Sequence, residues 1–263
     1  MNERRVIPST LSSAHAAAPN EYRPVAVMPD VRVVKIGGQS IMDRGREALF
    51  PILDEVIEAR KRGIQVVLLA GGGTRARHIY TIASELDMPT GVVATLGKYI
   101  PMQNARMVQM LLAKHGGIYI MPDDFEKLPL YLQLGCIPVM SGMPPFGYWE
   151  KHQEGSRIPP HRTDAGVFLS CEFLGAKRAI FIKDEDGLYT DDPKKNPEAT
   201  HIPRITAKEL IDRDLPDVVV ERVVVEYLPR ARWCKEVQIV NGLKPGQVLA
   251  ALEGQDVGTI ITA

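Results

Sequence analysis

Residues 31–38, VRVVKIGG, decide the fold. Val31, Val33, Val34 and Ile36 are β-branched and apolar, so residues 31–36 are predicted to form a buried strand, which runs straight into Gly37-Gly38. Helical spacing follows at once. Leu49, Ile52, Leu53, Val56 and Ile57 share one face before Arg60-Lys61-Arg62 and Gly63 close the helix. A second strand over 65–70 ends in Gly71-Gly72-Gly73, and a second helix, with Ala76, Ile79, Ala83 and Leu86 turned inward, stops before Pro89. Strand, glycine turn, helix, strand, glycine triplet, helix is the rhythm of parallel α/β units.

Further out, the pattern predicts helices near 103–114, 125–134, 163–174, after Thr206 and near 223–232, with strands at 118–121, 137–141, 179–182, 237–240 and 259–262. Residues 142–161 break it, with Pro144, Pro145, Pro159 and Pro160, three aromatics and no periodicity; irregular loops of that length are usually functional. Residues 1–30, with four prolines around an alanine-rich stretch, read as a flexible or partner-embracing arm, and residues 31–263 as one domain.

Thirty-two Lys plus Arg balance 32 Asp plus Glu, so no overall field recruits nucleic acid or an anionic membrane, and any bound anion must be held locally. With 45% hydrophobic residues the chain can bury a sizeable core. It has no secretory apolar run and no membrane-length stretch. Three unpatterned cysteines, Cys136, Cys171 and Cys234, suggest reduced thiols and a cytoplasmic setting.

Both glycine turns follow a buried strand and precede a helix, which places Gly37, Gly38, Gly71, Gly72 and Gly73 at the carboxyl edge of the sheet, where backbone N–H groups can approach an anion. Neither turn is a Walker A loop or a G-x-G-x-x-G motif. Lys35 lies inside an apolar strand, and a buried ammonium needs a phosphate or carboxylate partner. Asp164, at the start of the helix over 163–174, is either an N-cap or the carboxylate that orients Lys35. Lys183, Asp184, Glu185 and Asp186 end a strand; such carboxylates suit Mg²⁺, and Lys183 suits a phosphate. Arg75, Arg77 and His78 open the helix after the glycine triplet, where cations oppose the helix dipole unless an anion or a neighbouring chain compensates them. His152 and His161, with Trp149 and Glu150, occupy the irregular loop and are either solvated or anion- and metal-facing. Met107 and Met110, at helical spacing, read as core or subunit-contact residues.

In order along the chain, VVKIGG at 33–38, VVLLAGGG at 66–73, PPHRTDAGVFLS at 159–170, KDEDGLYTDDP at 183–193 and VGTII at 257–261 resemble the amino-acid kinase superfamily, with the uridylate kinases as the nearest enzymes. The resemblance implies a three-layer α/β/α sandwich around a mainly parallel sheet, with ATP at its carboxyl edge. It implies phosphate contacts for Lys35, Gly37, Gly38, Gly71, Gly72, Gly73 and Lys183, and nucleoside contacts for Asp186, Gly187, Tyr189, Asp192 and Pro193. Lys35, Asp164 and Lys183 form the expected catalytic set, and Asp184 and Glu185 the expected Mg²⁺ ligands.

GGGTRARHIY, SGMPP, IPPHRTDAG, KDEDGLYT, VQIVNGLKPG and GQDVGTIITA are more similar to the molybdenum-storage branch of that superfamily. Most of these segments look like its β type of subunit; residues 155–162 look more like the α type. That resemblance implies a hexamer, a trimer of dimers formed with itself or a paralogue, which uses ATP to load molybdate or tungstate as polyoxometalate clusters. Oxometalates are multiply charged anions, so Arg75, Arg77, His78, Glu150, His152, His161 and Arg162 form the candidate cluster contacts. Two rival functions follow from the same residues: a small-molecule kinase, and a nucleotide-binding partner subunit without turnover. Thr74-Arg75 after the glycines and the unusual 142–161 loop depart from the kinase pattern.

Overall fold

The computed structural model describes residues 25–215 and 218–263. Strand β1 (Arg32–Ile36) lies between β2 (Val66–Ala70) and β5 (Arg178–Lys183), parallel to both, with Lys35 opposite Leu69 and Phe181. Beyond β2 lie β4 (Ile137–Ser141) and β3 (Gly117–Tyr119); beyond β5 lie β9 (Glu236–Asn241), β10 (Thr259–Thr262) and β8 (Arg204–Thr206). Among the described residues these eight strands form one sheet, parallel from β3 to β9, where β10 pairs antiparallel. A short hairpin, β6 (Leu188–Tyr189) with β7 (His201–Ile202), stands apart.

Side chains alternate across each strand, and the two faces carry separate cores. Val33, Val67, Leu69, Phe181 and Ile239 pack on one face beneath α5 (Thr163–Leu174), α6 (Ala207–Arg213) and α7 (Arg222–Tyr227). Val34, Ile36, Leu68, Ile180, Ile182 and Val240 pack on the other beneath α1 (Arg46–Lys61), α3 (Thr90–Leu112) and α8 (Gln247–Leu252). Helices therefore cover both faces, as expected of a three-layer α/β/α sandwich. Helix α2 (Gly73–Glu85) packs on α3 through Ala76, Tyr80, Ala83 and Val93. The chain order turns at β1: one series of strands runs outward through β2 and another through β5. The carboxyl ends of β1, β2 and β5 consequently meet at one crevice.

The helix expected near 103–114 begins at Thr90 and carries Pro101 inside it. Proline normally breaks a helix because it lacks an N–H and crowds the carbonyl four residues back. Here that residue is Gly97, whose missing side chain leaves room for the Tyr80 ring; a Cβ there would lie 2.1 Å from Tyr80 Cε1. Met107 and Met110 on α3 are 45% and 68% exposed, so neither is a core residue of this chain. The helix near 125–134 divides into a 3-10 turn, Pro122–Lys127, and α4 (Leu128–Gln133), and the one near 223–232 ends early, at Tyr227. Most of the arm over 1–30 lies outside the described residues; within the remainder, Met28 N–H donates to Leu174 O at 2.6 Å. No helix among the described residues is long and apolar enough to cross a membrane.

Candidate functional site

Lys35 reaches the crevice from β1 with only 5% of its surface exposed, and its ammonium pairs with the buried Asp164 carboxylate at the start of α5. Lys183, at the end of the neighbouring strand β5, lies 3.9 Å from the other carboxylate oxygen. Burial pushes the Asp164 carboxyl up, but the charges of Lys183 and Lys35 outweigh it and hold the group down at about 2.

Glu221, just before α7, holds this arrangement in place. Its carboxylate accepts the backbone N–H groups of Arg162 at 2.9 Å, Asp164 at 3.0 Å and Ala165 at 3.1 Å, and so caps α5 from outside the helix. Glu221 N–H donates in turn to Asp164 Oδ2 at 3.0 Å. Burial and the Asp164 charge push the Glu221 carboxyl upward.

The two glycine turns interlock. A Cβ on Gly38 would lie 2.1 Å from Gly73 N, and one on Gly71 would lie 2.6 Å from Gly38 N, so only glycine allows this approach. Fully buried Asn104 on α3 donates to Gly71 O at 2.6 Å and steadies the triplet from behind. Asp43 closes the front: its Oδ2 accepts both Thr74 N–H and Thr74 Oγ1–H at 2.7 Å.

These groups open onto a cavity of about 1150 Å³. Lys35, Gly37, Gly38, Gly72, Gly73, Asp164, Lys183 and Asp184 line it, together with Asp43, Arg44, Lys194 and Glu221. Arg77, Arg157 and Arg162 line it too, so cations outnumber the carboxylates at its wall. Asp184 accepts from Arg44 at 2.6 Å and lies 3.3 Å from Lys194, whose ammonium is 2.8 Å from Glu185. Burial raises the Asp184 carboxyl, yet the Arg44 bond and the Lys194 charge bring it below its usual range.

Other expected site residues stand elsewhere. Asp186 is held by Asn241 at 2.9 Å and Lys244 at 2.6 Å; Gly187 packs against Thr259, Tyr189 meets the His201 ring edge-on, and Asp192 pairs with Lys195 at 3.0 Å. None of these, nor Glu185, Pro193 or Gly71, lines the cavity.

Glu150 is buried and accepts from His161 Nδ1 at 2.9 Å, while His161 Nε2 lies 2.6 Å from the Tyr227 hydroxyl, so the loop over 142–161 is tied to α7. His152 lies apart, on the surface, with its Nδ1 3.2 Å from Thr90 Oγ1. Arg75 bonds Asn104, and His78 is exposed; neither lines the cavity. Among the described residues no three His, Cys, Asp or Glu side chains converge as a cation site.

Asp43, Asn104 and Glu221 escape a reading of the sequence. Glu221 precedes the run Val223-Val224-Val225, and its partners lie 56 to 59 positions away. Asp43 has only its nearness to Gly37-Gly38 as a signal.

Lysines on adjacent parallel strands, interlocked glycine turns and a cavity whose wall carries more cations than carboxylates stand together at the carboxyl edge of an α/β sheet. The chain belongs to the amino acid kinase family, whose sequence model matches residues 30–227. It is 48% identical over 250 residues to the molybdenum storage protein subunit beta of Azotobacter vinelandii, covering 95% of this chain and 91% of that one. It is 28% identical to the uridylate kinase of Methanocaldococcus jannaschii over 87% of this chain and 98% of the relative. The crystal structure of uridylate kinase from Archaeoglobus fulgidus shares the fold, with a TM-score of 0.66 and 24% identity, covering 88% of this chain and all of that one.

Proposed function

We propose that this chain is a subunit of a cytoplasmic assembly that stores molybdenum or tungsten as polyoxometalate clusters and binds ATP with Mg²⁺ at the carboxyl-edge cavity. The observation that carries the reading is the 48% identity, spread over nearly the whole of both chains, to a molybdenum storage protein subunit beta.

The cavity suits a nucleotide triphosphate. Lys35 and Lys183 supply ammonium groups and the Gly37-Gly38 turn supplies a close backbone approach where a side chain would collide. Asp164 pairs with both lysines and aligns them, and Glu221 keeps Asp164 in position. Asp184 at the cavity wall, with Glu185 beside it, would hold Mg²⁺ together with phosphate oxygens. ATP, when bound, supplies a phosphoanhydride whose hydrolysis can be coupled to oxyanion loading. Asp186, Gly187, Tyr189, Asp192 and Pro193 are the proposed nucleoside side of the site. Arg75, His78, Glu150, His152 and His161 remain the proposed oxometalate contacts; of these, His161 is held by Glu150 and Tyr227, and Arg75 by Asn104.

Subunit assembly, with this chain or a paralogue, has a candidate surface in the exposed side chains of α3 and of α4 with the residue that caps it: Tyr99, Met107, Met110, Leu111, Leu130 and Leu134.

A second reading, a small-molecule kinase, draws support from the Lys35–Asp164–Lys183 group, since positioning and charge stabilisation are most of what phosphoryl transfer asks of a protein. Incubation of metal-free protein with molybdate, with and without MgATP, followed by gel filtration and metal analysis, tests the first reading. ATP-dependent retention of molybdenum is expected. Transfer of phosphate to UMP with no metal retained would favour the kinase.

A further inference from the structure

Val219 turns the wrong way for a valine. Its φ is +63°, and a β-branched side chain in that left-handed region crowds the neighbouring carbonyl. Asp87 and Asp214 also have positive φ, but each lies at the end of a helix, where a short polar side chain tolerates it. Val219 lies in no helix and caps none; it stands two residues before Glu221. Val220 N–H donates to Val218 O at 2.7 Å, so residues 218–220 make a γ-turn of the positive-φ kind, which is rare and strained.

Strain of this kind persists only where the surroundings hold it in place. Val218 packs against the core on one side of the turn, and Val220, 6% exposed, lies within the core on the other. The next residue is Glu221, whose carboxylate takes three N–H groups at the start of α5 and whose own N–H donates to Asp164. Val219 and Val220 line the cavity together with Asp164 and the two lysines. A chain relaxed to negative φ at residue 219 would leave the turn in another direction, and Glu221 would lose its place on α5.

We infer that Val219 is a positioning residue: its strained turn, clamped between Val218 and Val220, sets Glu221 against α5 and thereby aligns Asp164 with Lys35 and Lys183. The relaxed turn is the state in which the lysine pair is not assembled, so the strain keeps a polyphosphate seat preformed. The polyphosphate class rests on the nucleotide reading of the two lysines; the placement of Glu221 does not, and the experiment separates them.

Val219→Gly, Val219→Asn and Val219→Ala all remove the branched side chain and differ in how they take positive φ. Glycine adopts either sign, asparagine tolerates the positive one, and alanine shares the strain of valine. In thermal unfolding of the full chain, the Gly and Asn variants should melt several degrees above the Ala variant, the reverse of the order at an ordinary loop position. The Asp164 carboxyl, held at about 2 in the wild type, is followed by carbon-13 NMR and assigned with Asp164→Asn. It should titrate at higher pH in Val219→Gly, where the turn is free to swing and the Glu221 N–H is held on it less of the time. A merely structural turn would change the melting and leave that titration alone. Tripolyphosphate and a non-hydrolysable ATP analogue, titrated calorimetrically, should bind Val219→Gly about threefold or more weakly than the wild type. An Ala variant as stable as the Gly and Asn variants, or an Asp164 titration identical in the wild type and Val219→Gly, overturns the inference. If the titration moves but neither probe binds any of the proteins, Val219 keeps its positioning role and the nucleotide reading fails.

Discussion

Asp164 and Glu221 exchange hydrogen bonds: each carboxylate accepts the other residue's backbone N–H at 3.0 Å. Through this exchange the two lysines at the cavity floor depend on a residue 57 positions further along the chain.

The pairing makes stability depend on pH in a defined direction. Asp164 has its carboxyl held at about 2 in the folded chain against an ordinary value of 3.8. A depressed acid contributes stability that is present above its unfolded value and lost as pH falls through the folded one. The stability difference between wild type and Asp164→Asn, read by urea unfolding, should therefore shrink by about 2 kcal/mol between pH 4 and pH 2. Glu221, raised above its ordinary 4.5, acts oppositely: its contribution is present below that value and lost as pH rises through the folded one. Glu221→Gln should accordingly show less decline on that side.

Truncating Glu221 to Ala leaves three N–H groups at the start of α5 without their acceptor. A loss of about 2–3 kcal/mol in denaturant unfolding is expected, more than an ordinary surface cap supplies.

Gly38→Ala places a methyl group 2.1 Å from Gly73 N, where the nearest neighbours are backbone atoms that cannot swing aside. A destabilisation of about 3 kcal/mol should accompany weakened binding of ATP analogues, measured on the same preparation.

The cysteines give an independent check of packing. Cys171 and Cys234 are fully buried and lie close enough for a thiol hydrogen bond, with burial pushing the Cys171 thiol well up, whereas Cys136 is half-buried. A thiol reagent should modify Cys136 in the native protein and reach the other two only in denaturant. Modification of all three at similar native rates would contradict the packing around α5.

The alternating faces of the α/β core were legible because β-branched runs, glycine turns and 3.6-residue spacing all agree along residues 31–89. Lys35 was legible as a residue in need of a partner because it lies in an apolar strand, whereas Asp164 read equally well as a helix cap, and the fold brings the two together. The continuation of α3 through Pro101 was not, since proline normally ends a helix; nor was the approach of the Tyr80 ring to Gly97, a contact between different helices. Cys171 and Cys234 looked isolated for the same reason: they are 63 residues apart in sequence and meet only through the fold. Glu221 and Asp43 act as caps for helices they do not belong to, so no local pattern marks them.

Lys35→Met tests the phosphate floor. With the ammonium gone, calorimetric affinity for an ATP analogue should fall about tenfold to a hundredfold while the fold persists, because Lys183 still accompanies Asp164. Unchanged affinity would place the nucleotide elsewhere.

The storage function itself is tested most directly by the metal content of the protein isolated from cells grown with added molybdate, measured by mass spectrometry for the wild type and for Lys35→Met. The account predicts several molybdenum atoms per wild-type chain and a marked drop in the variant. A wild-type protein with less than stoichiometric molybdenum or tungsten, under growth with either oxyanion, would contradict it.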